Sequence, residues 1–221
     1  MEPGLALTDL PVIDIVNISH NHYDHLDRKT VSALVERQPA NQPFFLVPLG
    51  LKDWFADIGI KKKVIELDWW QSHRVGDWQL NAVPVQHWSR RGLFDTNKTL
   101  WAGWVVEAPE QKMFFAGDTG YSQDFKDIGE RLGSMDISLI PIGAYAPRWF
   151  MQDMHVNPDE AVQIHQDVQS RFSVGMHWGT FLNLTEEPLL EPSQRLKEVL
   201  TERNLSPDSF ITLKHGQTLR L

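Results

Sequence analysis

The sequence contains no cysteine, and that absence excludes disulfides, thiolate metal sites and cysteine nucleophiles together. Any metal must therefore be held by nitrogen and oxygen donors, and a hydrolytic nucleophile is expected to be water. Positive charge is also short: 21 Lys and Arg against 29 Asp and Glu leave a formal net charge of −8. A general nucleic-acid binder needs a basic footprint, so no nucleic-acid partner is expected. Acidic substrates stay open, because bound cations bring positive charge that a residue count misses. No apolar run reaches the ~18 residues of a membrane span. Residues Met1 to Asp9 lack a basic stretch followed by an apolar one, so they do not read as a signal peptide. Low-complexity tracts and internal repeats are missing too, and 221 residues fit a single domain (1–221) with a sizeable core.

Histidine and tryptophan are what the chain has, nine of each. Near the start, His20-Asn21-His22-Tyr23-Asp24-His25 places four potential metal ligands within six residues. The apolar run Ile13 to Ile18 enters this cluster and a helical pattern, Arg28 to Arg37, leaves it. Imidazole nitrogen and carboxylate oxygen suit zinc and similar divalent ions. Several tryptophans lie near this group, where aromatic walls can meet an apolar substrate portion.

Strands are expected at Phe44–Val47, Val64–Leu67, Trp78–Val85, Leu100–Glu107, Lys112–Ala116, Ile137–Ile142, Ser173–Met176, Phe210–Leu213 and Gln217–Leu221. Helices are expected at Leu51–Ile58, from Asn157 to about Gln169, and at Gln194–Arg203. Asn157, Pro158 and Glu160 make a capping box with proline in the first turn. The segment Ala144 to Val156 reads as irregular. Alternation of strands and helices argues an α/β class.

His20, His22, Asp24, His25, His87, Asp118 and His177 each sit in a loop just after an apolar strand. In an α/β sandwich such loops gather on one edge. Seven donors are too many for one tetrahedral ion and suit two. His20, His22 and His87 would hold one ion, Asp24, His25 and His177 the other, and Asp118 would bridge. Two cations on one water yield hydroxide near neutral pH. Asp24 and Asp118 are then candidates to orient it. His73, His165 and His215 have no ligand partner at motif spacing and read as structural or exposed. Arg90, Arg91 and Lys98 read as a solvated loop face.

These ligands, with Gly117-Asp118-Thr119-Gly120, resemble the metallo-β-lactamase superfamily. Further blocks resemble its N-acyl-phosphatidylethanolamine-hydrolysing phospholipase D branch: Gln86-His87-Trp88, Leu100-Trp101-Ala102-Gly103-Trp104, Phe114 to Tyr121, Pro141 to Tyr145, Pro147 to Met151, and His177 to Phe181. The resemblance implies an αββα sandwich, two Zn2+ or other divalent ions, and hydrolysis of a lipid or other phosphodiester. It also implies a catalytic role for His155 and substrate contacts at Arg148 and Trp149; Trp88 and Tyr145 join them as substrate-binding candidates. A cytoplasmic or membrane-peripheral location fits such a substrate. In that branch strands precede the His-rich loop, whereas here the loop begins at residue 20. The first half of the sandwich is thus expected to be N-terminally truncated, and a homodimer is one way to cover its edge. A lactonase or other hydrolase of this fold, and a metal-binding but catalytically silent domain, are the competing readings.

Overall fold

The apolar alternation that marks a strand also decides how the layers stack. The computed structural model describes residues 3–182 and 184–220. A first sheet is made of Ile15–Asn17 (β1), Phe44–Pro48 (β2) and Val64–Leu67 (β3), all parallel and in that order. A second sheet holds Ser72–Val75 (β4), Trp78–Val83 (β5), Gly103–Glu107 (β6), Lys112–Phe115 (β7), Ile137–Pro141 (β8), Ser173–Met176 (β9) and Phe210–Thr212 (β10). Its order runs β10-β9-β8-β7-β6-β5-β4, with antiparallel pairing from β4 to β7 and parallel pairing from β7 to β10.

Successive side chains of a strand point to opposite faces, so each strand feeds two cores. In β2, Leu46 faces the other sheet, while Phe45 and Val47 face helices Arg28–Arg37 (α1) and Lys52–Asp57 (α2). In β6, Trp104 and Val106 enter the space between the sheets. Val105 joins the opposite core with Asp124–Leu132 (α3), Pro158–Asp167 (α5) and Glu191–Glu202 (α6). Between α3 and α5 lies a short helix, Arg148–Met151 (α4). Three cores between four layers make an αββα sandwich. Trp104 is fully buried at the seam, and its indole N–H donates to Ile18 O at 2.9 Å. Truncating such a ring to alanine costs about 3–5 kcal/mol.

The differences from the sequence expectation have local causes. The strand from Trp78 stops at Val83, because Pro84 has no N–H for the ladder. Residues 100–102 do not extend β6: their amides reach the other sheet's loops instead, Leu100 N to Leu49 O and Ala102 N to Ser19 O, both 2.8 Å. Helix α6 begins at Glu191, three residues earlier than expected, with Pro192 in its first turn. Residues 217–220 form no strand, since Gln217 N closes a turn onto Lys214 O; Leu221 lies outside the described residues. The irregular stretch after Ala144 contains α4.

Candidate metal centre

The donors come from five loops, each leaving a strand or helix on the same edge of the sandwich. Loop 18–27 is anchored at both ends. Ile18 N donates to Leu46 O at 3.0 Å, Leu26 is fully buried, and Asp27 caps α1 by accepting from Thr30 N at 2.7 Å. Between these anchors the chain turns tightly, with His25 N and Leu26 N both donating to His22 O. Gly117 precedes Asp118 at φ +66°, and a Cβ there would lie 2.7 Å from the Ser19 Cβ. Glycine is thus required for the two ligand loops to touch. His177 follows β9 at φ +56°, a left-handed backbone that non-glycine residues rarely adopt.

The side chains converge around Asp118. Its Oδ2 lies 3.0 Å from His25 Nε2, 3.4 Å from His177 Nε2, 3.9 Å from His87 Nε2 and 4.0 Å from His20 Nε2. On one side, His22 Nδ1 is 2.9 Å from His20 Nε2 and 3.4 Å from His87 Nε2. On the other, Asp24 Oδ2 is 3.3 Å from His25 Nε2 and 3.9 Å from His177 Nε2. Two groups of three could therefore each hold an ion, His20 with His22 and His87, and Asp24 with His25 and His177. Asp118 lies between them, and with His155 and His177 it forms a further triplet.

Whether these residues fit a cation is testable on the polar atoms themselves. His87 Nδ1 faces Met154 O at 3.1 Å and His20 Nδ1 faces Ser19 Oγ at 3.0 Å, so each ring's Nε2 is left for the cluster. His22 Nε2, Asp118 Oδ1 and His155 Nδ1 are buried without a hydrogen-bond partner. Ligand nitrogens with ~2.05 Å bonds to a tetrahedral ion sit about 3.3 Å apart, close to the spacing of the His20, His22 and His87 nitrogens. The donor set fits divalent metal.

Electrostatics divides the centre in two. Burial lowers the pKa of His20 and of His22, and pushes His87 down to about 3. These rings stay neutral, the form a metal needs. His25 behaves oppositely: burial opposes its charge, but Asp118 and Asp24 lift it to about 10. His177 is raised by Asp118 and Asp24 against the same penalty. Asp24 is held far below the carboxylate range by His177 and His25, and Asp118 is pulled down by the same two imidazoles despite its burial. Both carboxylates are ionised.

His155 lies next to the cluster, its ring 5.6 Å from that of His177 and 5.4 Å from that of His87. Burial lowers its pKa to about 4. Two cavities of about 580 Å³ each meet at Asp24, Ala144 and His177. One runs past Trp88, Phe150, Met151 and His155. The other runs past Tyr23, Trp178, Phe181 and Leu189.

Of the four residues expected to bind substrate, Trp88 alone lines a cavity reaching the cluster, its ring 4.6 Å from that of His22. Trp149 is 81% exposed, with its ring tilted against that of Phe150 at 5.7 Å between centroids; Phe150 and Met151, not among the expected substrate residues, line the cavity. Tyr145 is buried, with its hydroxyl donating to Glu191 at 2.8 Å and its pKa raised by burial and that carboxylate. Arg148 is not free for phosphate. Its Nη1 donates to His155 O at 2.8 Å and its Nη2 to both Glu160 carboxylate oxygens at 2.8–2.9 Å. The sequence pattern held a signal for this: Glu160 belongs to the capping box of α5, one turn from His155. His165 is buried against Ser173 Oγ at 2.8 Å, and His215 is exposed.

A family model described as a beta-lactamase superfamily domain matches residues 1–178. The chain is 44% identical to N-acyl-phosphatidylethanolamine-hydrolyzing phospholipase D 1 of Caenorhabditis elegans, over 97% of this chain and 63% of that protein. It is 39% identical to the mitochondrial enzyme of that name from Saccharomyces cerevisiae, over 89% of this chain and 42% of that one. The chain thus spans less than two thirds of these relatives. Among solved structures, the diiron β-hydroxylase CmlA of Streptomyces venezuelae superposes with a TM-score of 0.73 at 20% identity, covering 97% of this chain and 46% of that one. Igni18, a metallo hydrolase of Ignicoccus hospitalis, superposes at 0.66 and 20% identity, covering 93% and 78%. At such identity these two show the fold alone. The matched residues and the identity to the curated relatives agree with the layered fold and its donor edge: the chain belongs to the metallo-β-lactamase superfamily.

Proposed function

We propose that the chain is a metal-dependent phosphodiesterase of phospholipase D type, with two zinc ions as its resident metals and an N-acyl-phosphatidylethanolamine-like diester as its substrate. The observation that carries this reading is Asp118 Oδ2 between two triplets of nitrogen and oxygen donors, on a chain 44% identical to a phospholipase D. His20, His22 and His87 would hold one ion, Asp24, His25 and His177 the other, with Asp118 shared. Imidazole and carboxylate donors at this spacing favour zinc. When bound, the two ions lower the pKa of a shared water and offset negative charge at the phosphoryl group.

The chain's own residues supply the rest. Asp24 and Asp118, both ionised, accept hydrogen bonds from the attacking water and orient it. His155 offers its buried, unpartnered Nδ1 to the substrate or leaving group. Trp88, Phe150, Met151 and Leu184 make an apolar wall along the cluster. Phe150, Phe181, Leu182 and Leu184 are exposed at the rim, a surface suited to acyl chains and to peripheral contact with a lipid layer.

The test is metal content followed by hydrolysis of a generic phosphodiester, a lactone and an N-acyl phospholipid, with Asp118→Asn as control. Two ions per chain and turnover of both phosphodiesters, lost in Asp118→Asn, is the expected result. Turnover of the lactone alone would replace phosphodiester chemistry with carbonyl chemistry. Two ions without turnover of any of the three would make this a silent metal-binding domain.

A further inference from the structure

The ligand loop needs something to hold its curl, and Arg91 is placed to do so. In sequence it belongs to an Arg- and Lys-bearing loop that reads as solvated. In the fold its side chain turns inward. Nη1 donates to Asn21 O and to Leu26 O, both at 2.8 Å, and lies 3.5 Å from His22 O. Those carbonyls bracket the turn that carries His22, Asp24 and His25. The guanidinium carbon stands 4.1 Å from the ring centroid of Tyr23 and 5.3 Å from that of Trp54. One planar group thus ties both ends of the ligand loop together and pins its middle by a cation–π contact.

The contact is reciprocal. Tyr23 Oη donates to Arg91 O at 3.1 Å, and Arg90 N donates to Asn21 Oδ1 at 2.8 Å. The carboxylate of Asp95 accepts from the backbone N–H groups of Arg91 and Gly92 at 2.8–3.2 Å, which fixes the arginine's own loop. Trp88, three residues back, packs on His22. Two loops distant in sequence are therefore interlocked through backbone carbonyls of one and the guanidinium of the other.

We infer that Arg91 is a positioning residue for the metal centre, setting the distance between the His20/His22 donors and the Asp24/His25 donors by gripping the carbonyls at either end of their loop. This rests on the metal-centre reading above. Arg91 lies outside all four donor groups, so its effect acts through the loop. A lysine keeps the charge and a nitrogen that can reach both carbonyls, as Nη1 does, but it lacks the planar guanidinium that lies over the Tyr23 ring.

The test is a competitive Zn2+ titration against a chromophoric chelator on the full chain, with folding followed by circular dichroism. Variants are Arg91→Ala, Arg91→Lys and Arg91→Met, and the control is Arg90→Ala, whose backbone bond to Asn21 persists. Loss of a group that orients ligands typically weakens metal binding about 10–100-fold. That is the expected loss in Arg91→Ala, with Arg91→Lys intermediate and Arg90→Ala unchanged. Added guanidinium ion should restore affinity to Arg91→Ala by filling the slot between Tyr23 and Trp54, whereas methylammonium should not. Wild-type affinity in a folded Arg91→Ala would overturn the inference. If that variant does not fold, wild-type affinity in Arg91→Met, which keeps the apolar stem but has no donor for the carbonyls, overturns it equally. Failure of the metal-centre reading looks different: the unmodified chain itself would then bind no Zn2+.

Discussion

Removing the Arg148 side chain separates a brace from a substrate ligand. Arg148 spans from α4 to the capping box of α5, with Nη1 on His155 O and Nη2 on both oxygens of Glu160. Arg148→Ala loses a charge-assisted bond to a carbonyl, worth about 1.5–3 kcal/mol when the acceptor is buried. It also loses an ion pair whose partners are 31% and 32% exposed, and solvent screening limits that part to about 0.5–1 kcal/mol. Glu160 keeps its bond from Asn157 N at 3.0 Å, so the cap itself survives. The sum is about 2–4 kcal/mol. For a chain of this length each kcal/mol lowers Tm by roughly 2–4 °C, giving a drop of about 4–16 °C. Urea or thermal unfolding of Arg148→Ala, Glu160→Gln and the double variant measures it, and coupling of at least ~0.5 kcal/mol between the two sites is expected. Because His155 loses its support, kcat should fall more than KM changes. Unchanged stability together with a raised KM for a phosphodiester and an unaltered kcat would refute the brace and return Arg148 to the substrate.

Three further perturbations probe other parts of the site. Glu187 accepts from Ala144 N at 2.6 Å, Tyr145 N at 3.3 Å, Ala146 N at 3.0 Å and Thr185 Oγ1 at 2.8 Å, tying the segment that separates the two cavities to the end of β8. Glu187→Ala should speed hydrogen exchange at those three amides and cost about 1–3 kcal/mol, and unchanged protection would contradict the tie. His155→Gln should leave metal content at the wild-type level while cutting kcat by about 10²-fold or more; loss of metal on dialysis would make His155 a ligand instead. Burial lowers the pKa of His165 in the folded state, so the unfolded chain binds more protons below pH ~6.5. Stability contributed by neutral His165 is therefore complete above that pH and lost as pH falls, by at most about 1.4 kcal/mol per pH unit. His165→Gln should flatten that slope in acid unfolding curves, and an unchanged slope would count against it.

The donors were legible because each one ends an apolar run, and a strand's end is where an α/β sandwich presents side chains. His87, Asp118 and His177 could thus be gathered with the loop at residue 20 although they lie far apart in the chain. What surrounds them was much less so. Nothing in Ser89-Arg90-Arg91-Gly92 distinguishes an arginine in solvent from one gripping carbonyls some 70 residues away, since that depends on how two loops meet. Arg148 read as a substrate contact because Pro147 to Met151 resembles the phospholipase D branch, and Tyr145 joined it as a candidate from the block Pro141 to Tyr145. Their bonds to Glu160 and Glu191 come from helices arriving later. Among the elements, α3 was missed: Phe125, Ile128 and Leu132 stand at helical spacing, but acidic and basic residues between them hide the stripe. Strand β4, Ser72–Val75, alternates exposed and half-buried residues at a sheet edge and has little apolar signal.

The central claim is that water activated at this donor cluster attacks phosphorus. Hydrolysis of a phosphodiester in 18O-labelled water by the zinc-loaded chain tests it most directly. The expected result is one 18O in the phosphate-bearing product at each turnover, none in the released alcohol, and no incorporation by Asp118→Asn. Label in the alcohol, or incorporation that persists in Asp118→Asn, would contradict it.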